Sequence, residues 1–133
     1  MIKMENKIRV LYGDDKAVER ESLAKQLRLR NVNVDLASSA EEMLAMAKAN
    51  SYHAFVTDLE YTKGGKEGYE VLSQLKNYSG LKVIYSGVAG FEHEMEAFER
   101  GADYAVLRKN EPLLLEVLAR ELKLGDNENG KVN

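Results

Sequence analysis

A chain of 133 residues, 31% charged and 44% apolar with a net charge of −3, is expected to form one globular domain with a core of its own. The acidic balance and the lack of any basic block exclude a nucleic-acid surface working by charge alone, and the absence of cysteine excludes disulfides and thiolate metal sites. Met1 to Lys7 is polar, without the apolar run of a signal peptide, and no stretch approaches membrane-spanning length, so a cytoplasmic chain without a membrane partner is expected.

Taken in chain order, short strand-like runs alternate with longer helical patterns, the mark of a parallel sheet covered by helices on both faces. A strand over Lys7 to Tyr12 gives way to a helix from about Lys16 to Arg30, on which Val18, Leu23 and Leu27 fall at helical spacings and which Asp14 or Asp15 can cap. The strand Val32 to Leu36 precedes Ser39-Ala-Glu-Glu42, a capping box that opens a helix to about Asn50. A third strand, His53 to Thr57, delivers Asp58 into a long loop broken by Gly64-Gly65, and a helix follows from about Gly68 to Tyr78. Ser79-Gly80 turns into the strand Leu81 to Tyr85. A helix from about Phe91 to Arg100 is closed by Gly101. The last strand is Tyr104 to Leu107, and Glu111-Pro112 starts a helix to about Leu124.

Three of these strands end in groups that phosphoryl chemistry can use: Asp14 and Asp15 after the first, Asp58 after the third, and Ser86 after the fourth. Side chains just past the carboxyl ends of neighbouring parallel strands converge on one crevice. Three carboxylates brought together there are electrostatically costly, and a hard divalent cation is the natural compensation. Each group taken alone has a plainer reading, since carboxylates cap helices and serine before glycine forms turns. His53 and His93 share no ligand-like spacing, and the Met43, Leu44 and Met46 stripe reads as core.

Val10-Leu-Tyr-Gly-Asp-Asp15, Phe55-Val-Thr-Asp-Leu59, Val83-Ile-Tyr-Ser-Gly87 and Gly101-Ala-Asp103, in this order and spacing, resemble the receiver domains of two-component response regulators. The resemblance implies a flavodoxin-like (βα)5 fold with a five-stranded parallel sheet of order 2-1-3-4-5, spanning about residues 5–124 with a tail at 125–133. It implies that Asp58 accepts a phosphoryl group from a sensor histidine kinase or phosphotransfer protein, that Mg²⁺ is held by Asp14, Asp15, Asp58 and the backbone carbonyl of Glu60, and that Ser86 donates its hydroxyl to a phosphoryl oxygen. Such a chain catalyses only its own phosphorylation and dephosphorylation, signals to a downstream protein target through its fourth helix, last strand and last helix, and could form a homodimer on activation. The family's basic residue after the last strand falls on Arg108 by gapless counting and on Lys109 with a one-residue bulge, and the compact ammonium of Lys109 is slightly preferred. Tyr104 is the nearest candidate for the family's aromatic switch, although gapless counting gives Ala105.

The chain departs from the family where Tyr61-Thr62 replaces the usual Met-Pro, in a loop somewhat longer than usual. That departure keeps a second reading in play, a receiver-like interaction module not regulated by phosphorylation. A flavin carrier on the same fold is disfavoured by acidic Gly13-Asp14-Asp15-Lys16 where an anionic phosphate would sit. An aspartate-based phosphatase is disfavoured because its nucleophile follows the first strand.

Overall fold

The computed structural model describes residues 7–88 and 90–124, and the expected tail at 125–133 lies outside them. Strands β1 (Arg9–Gly13), β2 (Asn33–Ala37), β3 (Ala54–Thr57), β4 (Leu81–Ser86) and β5 (Tyr104–Leu107) alternate with helices α1 (Ala17–Arg28), α2 (Ala40–Ala49), α3 (Glu67–Leu75), α4 (Phe91–Glu99) and α5 (Glu111–Leu122). The strands form one parallel sheet in the order β2-β1-β3-β4-β5, the arrangement expected from the sequence.

The two-residue period of the strands divides the core between the sheet faces. Val10, Tyr12, Val56, Val83, Tyr85 and Val106 face one way and pack with Leu23 and Leu27 of α1 and Leu114 and Leu118 of α5. Leu11 and Phe55 face the other way, against Met43 and Ala47 of α2 and Val71 and Leu75 of α3. Leu59, Leu72, Ile84 and Ala97 continue that second layer beneath α4. β1 and β3 carry no exposed face, which is why Val10 to Tyr12 and Ala54 to Val56 read as unbroken apolar runs rather than alternating ones.

Local chemistry sets the helix ends. Ser39 caps α2, its Oγ accepting from the Glu42 amide at 3.0 Å, while the Glu42 carboxylate accepts from the Ser38 amide, one residue ahead of the usual capping-box partner. α1 differs from expectation: Lys16 is its cap, and Asp14 helps by accepting from the Lys16 amide at 2.9 Å. α3 stops at Leu75, short of the expected Tyr78, and the chain reverses through Gly80 at φ +120°. Pro112 lies in the first turn of α5, where its missing N–H costs no helical bond, and Lys123 ends the helix with φ 58°.

Register then aims the functional groups. Gly13 pairs with Ala37 on one side and Thr57 on the other, and Ser86 pairs with Leu107. Asp14, Asp58 and Arg108 are therefore the first residues past three aligned strand ends.

Candidate functional site

Backbone bonds hold the two buried aspartates beside each other. The Asp14 amide donates to the Ala37 carbonyl at 3.0 Å and the Asp58 amide to the Gly13 carbonyl at 2.9 Å, extending the β-ladders one step beyond the strands. Asp14 is 0% exposed, Asp58 2% and Ser86 4%, whereas Asp15 lies at the rim next to Lys16. Asp14, Asp15 and Asp58 each offer an oxygen, and these three atoms lie within 4.8 Å of one another. Glu60 lies two residues past Asp58 in the loop, half-buried, with its carboxylate outside this trio.

Into this cluster reaches Arg108. Its Nη2 donates to Asp14 Oδ2 at 2.6 Å and stands 3.1 Å from Asp58 Oδ2, and its Nε is 3.8 Å from Glu19. Arg108, and not the slightly preferred Lys109, is the residue that reaches the carboxylates: Leu107 is the last ladder residue and no bulge intervenes, so residue 108 points to the crevice. Lys109 falls on the exposed side of the single 3-10 turn Arg108–Asn110. Arg108 is itself braced, with its guanidinium over the Tyr85 ring at 5.8 Å and its carbonyl accepting from Tyr85 Oη at 3.0 Å.

The hydrogen bonds within the cluster are unequally shared. Asp14 Oδ2 also accepts from Tyr12 Oη at 2.7 Å, and Asp14 Oδ1 accepts from the Lys16 amide. Asp58 Oδ1 accepts from the Leu59 amide at 2.8 Å. Asp58 Oδ2, although close to the guanidinium, is misaligned with its N–H groups and has no hydrogen-bond partner. Burial raises the Asp58 carboxyl above the ordinary carboxylate range; Arg108 pulls it down and Asp14 pushes it up. Burial works against the Arg108 charge, but the Asp58 and Asp14 carboxylates outweigh it and hold the guanidinium firmly protonated. Burial first and Asp14 second push the Tyr12 phenol far above its usual range, so it serves Asp14 only as a donor.

These residues fit a hard divalent cation. The donors are all oxygens, the carboxylates outnumber the one guanidinium, and Asp58 Oδ2, though paired with Arg108, has no aligned hydrogen bond. Ser86 Oγ accepts from the Val88 amide at 3.0 Å, which uses a lone pair and leaves the hydroxyl hydrogen available.

Gly13, Tyr61 and Glu67 complete the surroundings of the cluster. Tyr61 turns inward, 6% exposed, with Oη 2.7 Å from Thr57 Oγ1 and donating to Met43 Sδ at 3.2 Å. It occupies the space that a side chain at position 13 would need: a Cβ on Gly13 would overlap both Tyr61 Oη and Met43 Sδ. Glu67 ties the rest of the loop to α3, accepting from the Tyr61 amide at 3.1 Å and from the Thr62 hydroxyl. The Gly13 and Tyr61 positions signal each other only once the fold is known. Tyr104 faces α5 and donates to Glu121, while Ala105 lines the small cavity between α4 and β5 beside Ser86. Tyr104 therefore lies on the opposite sheet face from that cavity, as neighbouring strand residues must.

A family model for the response regulator receiver domain matches residues 10–119, and the chain belongs to that family of signalling modules. A two-component response regulator, ORR6 of Oryza sativa subsp. japonica, is 30% identical over 115 residues covering 81% of this chain. The chain spans 66% of that relative's length. Among solved structures, a CheY-like receiver domain protein from Methanospirillum hungatei JF-1 superposes with a TM-score of 0.80 at 22% identity, covering 96% of this chain and 100% of the other. A two-component response regulator from Clostridium difficile gives a TM-score of 0.81 at 18% identity over 88% and 97% of the two chains. A Burkholderia pseudomallei response regulator with a phosphorylated aspartic acid and a calcium ion gives 0.73 at 22% identity over 88% and 71%. These likenesses show the flavodoxin-like receiver fold. Among the described residues, no helix is long and apolar enough to cross a membrane.

Proposed function

We propose that this chain is a phosphoacceptor receiver acting in the cytoplasm, taking a phosphoryl group from a histidine kinase or phosphotransfer protein onto Asp58. The observation that carries this reading is Asp58 Oδ2, buried at the end of the central strand, without a hydrogen bond, beside two further carboxylates. Asp14, Asp15, Asp58 and the Glu60 carbonyl would hold Mg²⁺. When bound, that ion supplies charge neutralisation for an anionic donor approaching an anionic nucleophile.

The chain's own groups account for the remainder. The Asp58 carboxylate oxygen attacks phosphorus as the P–N bond of a phosphohistidine breaks, giving an acyl phosphate and returning the electron pair to the imidazole. Ser86 donates its free hydroxyl hydrogen to a phosphoryl oxygen. Arg108, rather than Lys109, supplies the cation, exchanging its contact with Asp14 for a forked contact with the phosphoryl group. The phosphorylated state then acts on a downstream protein through α4, β5 and α5.

The unregulated interaction module is favoured by one observation: Arg108 already neutralises Asp14 and Asp58 from within. Incubation with acetyl phosphate separates the two readings. A receiver gains the mass of one phosphoryl group only with Mg²⁺ and loses that gain in Asp58→Asn; no gain in the parent chain overturns the proposal.

A further inference from the structure

Helix α4 turns an apolar stripe to solvent. Phe91, Met95 and Phe98, spaced i, i+4, i+7, are 74%, 41% and 44% exposed, while Ala97 is 0% exposed and is the one residue of the helix that is fully buried. These spacings place the three side chains on one face within roughly 60° of arc. The helix is anchored from behind: Tyr69 Oη lies 3.1 Å from His93 Nδ1, and Arg100, bonded to Glu96 at 2.8 Å and to Ser73 at 3.1 Å, is drawn back over Tyr69. The stripe is thus held outward by a fixed scaffold.

Its borders are acidic. Glu92 and Glu99 lie along one edge and Glu94 along the other, all exposed and outside the ion pairs found among the described residues, and the basic residue nearest in sequence, Arg100, is already paired with Glu96. An apolar strip edged by carboxylates complements a helix whose apolar anchors recur every three to four residues and whose flanks carry Lys or Arg. A second copy of this chain fits poorly, because a two-fold contact sets the same glutamates against one another.

We propose that the exposed stripe of α4 docks a basic amphipathic helix of a partner protein, with Phe91, Met95 and Phe98 as the apolar anchors and Glu92, Glu94 and Glu99 as the charged border. This names the partner of the output face in the receiver reading and takes its signalling meaning from that reading, but docking itself requires no phosphoryl group. The probe is a helix-forming peptide of about 15 residues with Leu at i, i+4 and i+7 and Lys on both flanks, titrated into the full, isotopically labelled chain. Amide shifts should concentrate on residues 91–99. Phe98→Ser should weaken binding at least about tenfold, and the Glu92→Gln, Glu94→Gln, Glu99→Gln triple variant should flatten its salt dependence, with the amide spectra of both variants showing the fold intact. Equal binding of a scrambled peptide, equal binding of a peptide with Glu in place of Lys, or shifts centred elsewhere would overturn the proposal. So would self-association of the chain in sedimentation that Phe98→Ser abolishes. The same titration on Asp58→Asn should be unchanged, whereas the acetyl phosphate experiment fails or succeeds independently of the peptide.

Discussion

Among the described residues, Arg108 alone pairs with both Asp14 and Asp58, and so carries much of the site's electrostatics. Removing it leaves two buried carboxylates beside each other with no cation between them, and breaking a buried pair in this way costs on the order of 3 kcal/mol. Arg108→Ala should lower the urea midpoint by that measure in metal-free buffer and recover part of it on addition of Mg²⁺; an unaltered midpoint would show the contact to be incidental. The choice between Arg108 and Lys109 was not legible in the sequence because adjacent basic residues differ by one step of register, and only the β4–β5 ladder fixes that step. The mutual dependence of Gly13 and Tyr61 was equally hidden, because they are distant in sequence and meet only across the β1–β3 strand ends. Gly13→Ala should destabilise by about 2 kcal/mol through overpacking, and combining it with Tyr61→Leu should cost clearly less than the two single changes added together. Strict additivity in a denaturation cycle would refute the close approach.

At the scale of elements, what the sequence made plain was whatever rests on local chemistry. The Ser39 cap, Pro112 in the first turn and the closure of α4 before Gly101 at φ +110° appear where the residues announced them. Ser39→Ala should cost about 1 kcal/mol, the usual worth of a side-chain cap, detectable as a shift in thermal midpoint. Boundaries set by tertiary packing were less legible. Tyr78, three residues past Leu75, falls at a helical spacing that suggests more α3, yet it leaves the helix and packs edge-on against Phe55 at 6.2 Å. Likewise Tyr104 looks like a switch residue by position alone, but the alternation of β5 gives it to α5.

For the molecule as a whole, alternating strands and helices were enough to reach a parallel sheet covered on both faces, whereas the order of its strands came with the family resemblance. Its buried phenols tie global stability to alkaline pH. Burial, with Asp35 next, raises Tyr52 to about 12, and burial, with Glu111 next, raises Tyr85 to about 12. Both pKa values are higher in the folded chain than in the unfolded one, so their stabilising contribution is complete below pH about 10 and is lost as pH rises through about 12. Stability should fall by roughly 2 kcal/mol per phenol across that interval, followed as a declining urea midpoint together with late-rising tyrosinate absorbance. Early ionisation of all seven tyrosines would contradict it.

The bond from Arg108 to Asp14 joins residues 94 positions apart. Contacts of such long range form only after the intervening chain has closed around them. A nascent chain that ends before β5 therefore lacks the guanidinium that pairs with Asp14 and Asp58, and these two carboxylates gain their shared counterion only at the step that completes the sheet.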